Sequence, residues 1–225
     1  LKVLGIHANM DPYYSHFAML NLETNQLIPL TLAQGTHRNI QILGPNYFLT
    51  TWSRIDQAPI TELRNLNTGA LVLTLHATDD SKLKAAGWPT PIPFSAKGRD
   101  GKTDIWGMII RPSNFDPTKK YPIIEYIYAG PHDSFVPKNF VNDSRGSLHE
   151  LAELGFIVVQ CDGMGTSNRS KAFHDVAWKN IKDGGFPDRM EWIKAAAKKY
   201  NYMDTSRVGI FGNSAGGQSS LGALL

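Results

Sequence analysis

One short stretch constrains this chain more than any other: the apolar run Val208-Gly209-Ile210-Phe211 followed by Gly212-Asn213-Ser214-Ala215-Gly216-Gly217. It is a G-x-S-x-G pattern in the order strand, tight turn, helix. The demand is steric. A serine at a sharp bend between a strand and a helix is strained, and the positions two away must lack side chains so that strand and helix can approach. Such a bend lifts the Ser214 hydroxyl clear of the sheet, at the N-terminus of the next helix. The Ala215 N–H can then point at an oxygen that turns negative during acyl transfer. The competing reading is a glycine-rich helix N-terminus that binds a phosphate, although the lysine of a P-loop is absent.

The residues leading to this bend alternate in kind. Residues 94–96 and 105–111 read as two strands around the turn Gly98-Arg99-Asp100-Gly101, and 121–128 and 156–161 as strongly apolar strands. Residues 147–154 read as a helix stopped by Gly155. Residues 187–200 read as a longer amphipathic helix with Met190, Ile193 and Ala197 on one stripe. With 207–211 as a short buried strand, the pattern predicts an α/β fold whose sheet is mostly parallel and covered on both faces.

Before residue 90 the grammar differs. Short apolar runs at 17–22, 27–30, 39–43, 47–52, 59–65 and 70–76 are separated by Asn, Gly and Pro turn signals. That pattern predicts an antiparallel all-β module. L-N-L-E-T-N-Q-L from Leu20 and L-R-N-L-N-T-G-A-L from Leu63 form a weak internal repeat of strand, polar turn and strand. It suits the outer hairpin of a β-propeller blade, with a small β-meander as the alternative. Residues 79–86 read as one or two helical turns, and Pro89, Pro91 and Pro93 then break regular structure. The expected domains are therefore 1–90 and 91–225.

Composition narrows the function. With 42% hydrophobic and 19% charged residues, the chain has an ordinary globular make-up. The net charge of +3 is spread over scattered Lys and Arg, which argues against a nucleic-acid interface. Cys161 is the only cysteine, so neither an intrachain disulfide nor a paired-cysteine zinc site can form, and it reads as a small apolar filler. No apolar run approaches the roughly 18 residues of a membrane span. No cofactor, metal, nucleic acid or membrane span is expected. The chain opens on Leu1 without a signal peptide, which suits a piece whose start lies upstream.

Motifs in a set order carry a family resemblance. Y-P-I-I-E-Y-I-Y-A-G-P from Tyr121 to Pro131 resembles the strand and turn before the oxyanion hole in the dipeptidyl-peptidase IV branch of the prolyl oligopeptidase family. D-G-M-G-T from Asp162 to Thr166 resembles that family's D-G-R-G-[ST] loop. Phe186-Pro187-Asp188-Arg189 before an alanine-rich helix, D-T-S-R-V-G-I from Asp204, and the Ser214 bend complete the series. The match runs from about Phe94 to Leu225, and the first half resembles the end of that family's β-propeller. The resemblance implies an incomplete α/β-hydrolase domain preceded by antiparallel β strands from a β-propeller.

It also implies roles. Ser214 matches the nucleophile, and Gly212, Gly216 and Gly217 the elbow around it. Tyr128 matches the side chain whose hydroxyl is an oxyanion donor beside the Ala215 N–H. A core tyrosine with its hydroxyl at the rim is the alternative for Tyr128. Two positions depart from the pattern: Met164 stands where an arginine is usual, and Ala215 where dipeptidyl-peptidase IV has a tyrosine. The implied activity is a serine peptidase that hydrolyses short peptides after proline or a small residue. Alternatives are an esterase or acylaminoacyl peptidase, or a non-catalytic interaction protein. The resemblance further suggests a periplasmic or secreted protein that can form a homodimer at full length.

In α/β-hydrolases the acid and the histidine follow the serine, and only residues 215–225 do so here. The expectation is that both lie beyond this chain and that the chain alone is inactive. His132, His149 and His174, with Asp162, Asp175, Asp183 and Asp188, are the upstream candidates, and a surface or capping role is the default for each histidine. Glu125, inside an apolar strand, is expected to pair with a neighbour. Trp88, Trp106, Trp178 and Trp192 are expected to pack, and Asn180 and Lys182 have no assigned role.

Overall fold

The computed structural model describes residues 1–5, 10–140 and 148–225. The chain divides into two compact units, Leu1–Lys82 with Pro137–Val141, and Leu83–Val136 with Asn142–Leu225.

In the first unit, β1 (Lys2–Leu4), β2 (Ser15–Leu20) and β3 (Leu27–Pro29) form one antiparallel sheet. A second sheet has β4 (Thr36–Leu43), β5 (Tyr47–Arg54), β6 (Gln57–Asn65) and β7 (Leu71–Ala77) in sequential order. The weak repeat builds the same turn twice. Asn21 Oδ1 accepts from Glu23 N and Thr24 N at 2.9 and 3.1 Å, and Asn65 Oδ1 accepts from Asn67 N and Thr68 N at 2.9 and 3.0 Å. A left-handed residue follows in each, Asn25 (φ 55°) or Gly69 (φ 71°), as these residue types allow. Residues 137–140 are fastened to this unit by Lys138–Asp11 at 2.7 Å and by Phe140 N donating to Ser53 Oγ at 3.1 Å.

The interior of this unit holds a ring cluster. The buried His37 ring lies 5.4 Å from His16 and 6.1 Å from Trp52. Its Nε2 donates to the Ala33 carbonyl at 3.3 Å. Burial, with His16 nearby, pushes the His37 imidazole down to about 3.

After α1 (Ser81–Ala85), the second unit has one five-stranded sheet in the order β12-β10-β11-β9-β8. Its strands are β8 (Ile92–Lys97), β9 (Asp104–Ile110), β10 (Tyr121–Tyr126), β11 (Ile157–Asp162) and β12 (Met203–Phe211). Its helices are α2 (Leu148–Glu153), α3 (Lys171–His174), α4 (Phe186–Lys199) and α5 (Ala215–Leu224). The sheet is mixed rather than mostly parallel. β10 runs parallel to β11 and β12, while β9 runs antiparallel to both β8 and β11. A tight turn joins β8 to β9, and so short a link permits only an antiparallel pair, whereas longer crossovers connect the parallel strands.

Two further expectations change. β12 is nine residues long and mostly exposed instead of short and buried, because among the described residues it pairs with β10 alone. The buried face of α4 is Arg189, Trp192, Ile193 and Ala196, while Met190 is 54% exposed. Trp192 sets that face by packing among Ile105, Ile109, Ile123, Ile157 and Val159. Arg189 sets it by reaching Glu125 Oε1 at 2.6 Å from β10, where a lone buried carboxylate would be costly. Gly155 ends α2 with φ 96°, as its position implies.

Candidate active site

β12 delivers the chain to the bend at Ser214. Ser214 opens α5 with φ 54° and ψ −121°, a conformation that residues with side chains seldom adopt, and its residue surface is exposed. A Cβ on Gly216 would lie 2.1 Å from the Ile127 carbonyl oxygen, and one on Gly212 2.4 Å from the same atom. No side chain fits at either place. Gly217 is less confined, with the Gly212 oxygen 3.3 Å away. Ala215 is the first residue of α5, so its N–H has no partner within the helix.

Tyr128 lies two residues past the end of β10, and Ile127 N donates to Phe211 O at 2.9 Å, which ties this segment to the end of β12. The Tyr128 Cα would be 3.5 Å from a Cβ on Gly216, so the backbone carrying the phenol abuts the elbow. Its half-buried ring packs on Phe135 at 4.5 Å and edge-on to His132 at 5.9 Å. Beside the elbow is a cleft of ≈ 350 Å³, lined by residues 129–132, by Ile181 and Lys182, and by one side of α5 from Ala215.

The candidate acids hold backbone instead. Asp162, fully buried, accepts from Phe135 N at 2.8 Å and Val136 N at 3.0 Å, fixing the segment that packs on Tyr128. Asp188, also fully buried, accepts from Met164 N at 2.9 Å, from Arg99 N at 2.9 Å, and from the Arg99 guanidinium at 2.9 and 3.1 Å. Asp183 takes the rest of that guanidinium in a two-point pair at 2.8 and 2.6 Å. The hydrogen bonds from Arg99 lower the Asp183 carboxyl below its usual range, and those to Asp183 keep Arg99 more firmly charged. Asp175 pairs with Lys171.

Two of the histidines are similarly occupied. His149 Nε2 meets the Pro89 carbonyl at 3.1 Å and its ring stacks on Trp88, and His174 Nε2 meets the Pro131 carbonyl at 2.8 Å. His132 packs on Tyr128 and Phe135. Sequence reasoning missed Arg99 as a clamp and Lys182 as part of the cleft wall. It expected Trp178 to pack, yet the residue is 74% exposed, at the end of a 3₁₀ turn. Glu125 has the expected partner, and burial raises the Cys161 thiol, which suits a filler.

The model of the prolyl oligopeptidase family matches residues 143–225. Over those residues the chain is similar to the prolyl oligopeptidase family. Among the family's dipeptidyl peptidases, dipeptidyl peptidase 8 of Homo sapiens is 34% identical over 146 residues, covering 65% of this chain and 16% of that protein. A probable dipeptidyl-aminopeptidase B of Ajellomyces dermatitidis is 28% identical over 231 residues, covering 99% of this chain and 24% of that protein. The crystal structure of a putative dipeptidyl aminopeptidase IV from Bacteroides ovatus matches with a TM-score of 0.75 and 25% identity, covering 91% of this chain and 29% of that one. Porphyromonas gingivalis dipeptidyl peptidase 4 shares the fold, with a TM-score of 0.72 at 22% identity. The chain therefore spans less than a third of the length of these relatives. The chain has propeller-like antiparallel sheets followed by a mixed sheet with helices, and its structural neighbours combine a propeller with a hydrolase domain. Among the described residues no helix is long and apolar enough to cross a membrane.

Proposed function

We propose that this chain supplies the nucleophile and both oxyanion donors of a serine peptidase that hydrolyses short peptides after proline or a small residue. The observation that carries the reading is the strained, exposed Ser214 opening α5, held by Gly212 and Gly216 against the Ile127 carbonyl. The family's dipeptidyl peptidase relatives support the substrate class.

In this mechanism the Ser214 hydroxyl attacks the scissile carbonyl carbon while its proton passes to a histidine from outside residues 1–225. The tetrahedral oxyanion accepts hydrogen bonds from the Ala215 N–H and the Tyr128 hydroxyl. The base protonates the departing amine, leaving an ester on Ser214 that water hydrolyses by the same steps. Both donors sit on short links from strand ends, so they need little reorganisation as charge develops.

The test is cleavage of Gly-Pro and Ala-Pro nitroanilides by the full-length protein. Ser214→Ala abolishes turnover, and Tyr128→Phe lowers kcat by about 100-fold, the typical effect of losing one oxyanion donor. Undiminished turnover in the Ser214 variant ends this reading. Preference for a nitrophenyl ester or an acyl-amino-acid substrate replaces it with the esterase or acylaminoacyl peptidase. The 225-residue chain alone is expected to show negligible cleavage, since loss of the base removes most of the rate.

A further inference from the structure

The cleft beside the elbow has one wall that the acyl-transfer chemistry does not use. We propose that Ile181 and Lys182 form a substrate subsite there, taking an apolar side chain against Ile181 and pairing a nearby carboxylate with Lys182. The assignment rests on the peptidase reading for its occupant, a short peptide, and adds a preference within that class: an apolar residue combined with a free carboxylate.

Three observations support it. First, Ile181 and Lys182 line the same cleft as Ala215, so whatever occupies it lies beside the proposed oxyanion donor. Second, Ile181 is 61% exposed on a firmly held backbone, and a fixed, solvent-facing apolar side chain in a cleft offers contact area to a ligand. Third, Lys182 is exposed and has no hydrogen bond or ion pair among the described residues, while the neighbouring carboxylate of Asp183 is already taken by Arg99. Among the described residues the wall therefore presents a positive charge with no carboxylate partner, next to an apolar surface.

The backbone behind it is built to hold position. Lys179 has φ 54° without being glycine, and Gly184 and Gly185 follow at 54° and 72°. Asn180 N donates to Ala177 O at 3.0 Å, Asp183 N to Asn180 O at 3.1 Å, and Gly184 N to Ile181 O at 3.2 Å. Left-handed backbone at a residue with a side chain persists only where its surroundings enforce it. The Arg99–Asp183 pair at 2.6 Å anchors the far end of the turn.

The experiment measures equilibrium binding to the full-length protein carrying Ser214→Ala. The probes are Ala-Pro-Leu with a free C-terminal carboxylate and the same peptide as its C-terminal amide. With Lys182 present the carboxylate form binds about threefold more tightly, the scale of an exposed ion pair. Lys182→Gln abolishes the difference, Lys182→Glu reverses it, and Ile181→Ser weakens both peptides alike. Equal affinity for the two peptides with Lys182 present, a difference that survives Lys182→Gln, or no binding of either peptide overturns the subsite. Turnover by the Ser214 protein separates the two readings. Ser214-dependent cleavage with charge-blind binding removes the subsite alone. Charge-sensitive binding without Ser214-dependent cleavage upholds the subsite and removes the peptidase reading.

Discussion

β7 and β11 are both apolar strands, L-V-L-T-L-H-A and I-V-V-Q-C-D, yet every residue of β7 is exposed and every residue of β11 is buried. Their places in the sheets account for the difference. Among the described residues β7 is an edge with β6 as its one strand neighbour, whereas β11 lies between β10 and β9 with α2 and α4 packed on it. The contrast extends to the two units. The first is joined largely by hairpins between consecutive strands and by local asparagine turns. The second depends on contacts between residues far apart in the chain, including a buried ion pair. Damage should therefore spread in the second unit and stay local in the first.

The sharpest way to break that comparison is Glu125→Ala. It leaves the Arg189 guanidinium buried without its carboxylate and should cost about 3–5 kcal/mol. Hydrogen exchange should show protection falling throughout β10, β11 and α4 while β5 and β6 keep theirs. Equal loss in both units would show that they are not separate in stability. Next is Arg99→Ala, which strips charged hydrogen bonds from Asp183 and Asp188 and should cost about 2–3 kcal/mol. Thermal unfolding reports the loss, and exchange at 163–165 and 180–185 should rise first.

Acid should act on the opposite unit. The unfolded chain protonates His37 near its ordinary value, while the folded protein resists until about 3. Below pH 6.5 the unfolded state therefore binds the extra proton, and stability falls as pH drops from 6.5 toward 3. The loss should reach about 2 kcal/mol by pH 5. Asp183, lowered by Arg99, titrates only at more acidic pH. Exchange in β2, β4 and β5 should thus rise between pH 6.5 and 5, and His37→Phe should flatten that response. The smallest effect expected is from Asn65→Ala, about 1 kcal/mol for a turn whose bonds partly pass to water. It should loosen the β6–β7 hairpin and leave the Asn21 turn intact.

Much of the local structure was legible beforehand. The Asn21 and Asn65 turns, the stop at Gly155 and the cramped Ser214 bend each depend on residues within a few positions of one another. Their side chains and backbone dihedrals meet the same steric rules in any fold. Glu125 was half legible: a carboxylate in an apolar strand demands a partner, but nothing nearby names Arg189, 64 residues away. The α4 face was misjudged for the same reason, since Met190 and Trp192 are equally apolar in a periodicity and only the sheet selects between them. Arg99 looked like an ordinary turn residue, and its partner Asp188 lies 89 residues on.

The sequence by itself determined the family resemblance through the order of its motifs, and through short-range sterics and periodicity the cramped bend at Ser214 and the divide between strand-rich and mixed halves. Tertiary structure decided which apolar strands are covered, that β9 runs against its neighbours, and that Arg99, Asp183 and Asp188 brace the cleft wall carrying Lys182. Burial and ion pairing depend on what a residue meets across space, and a linear pattern holds no record of that meeting.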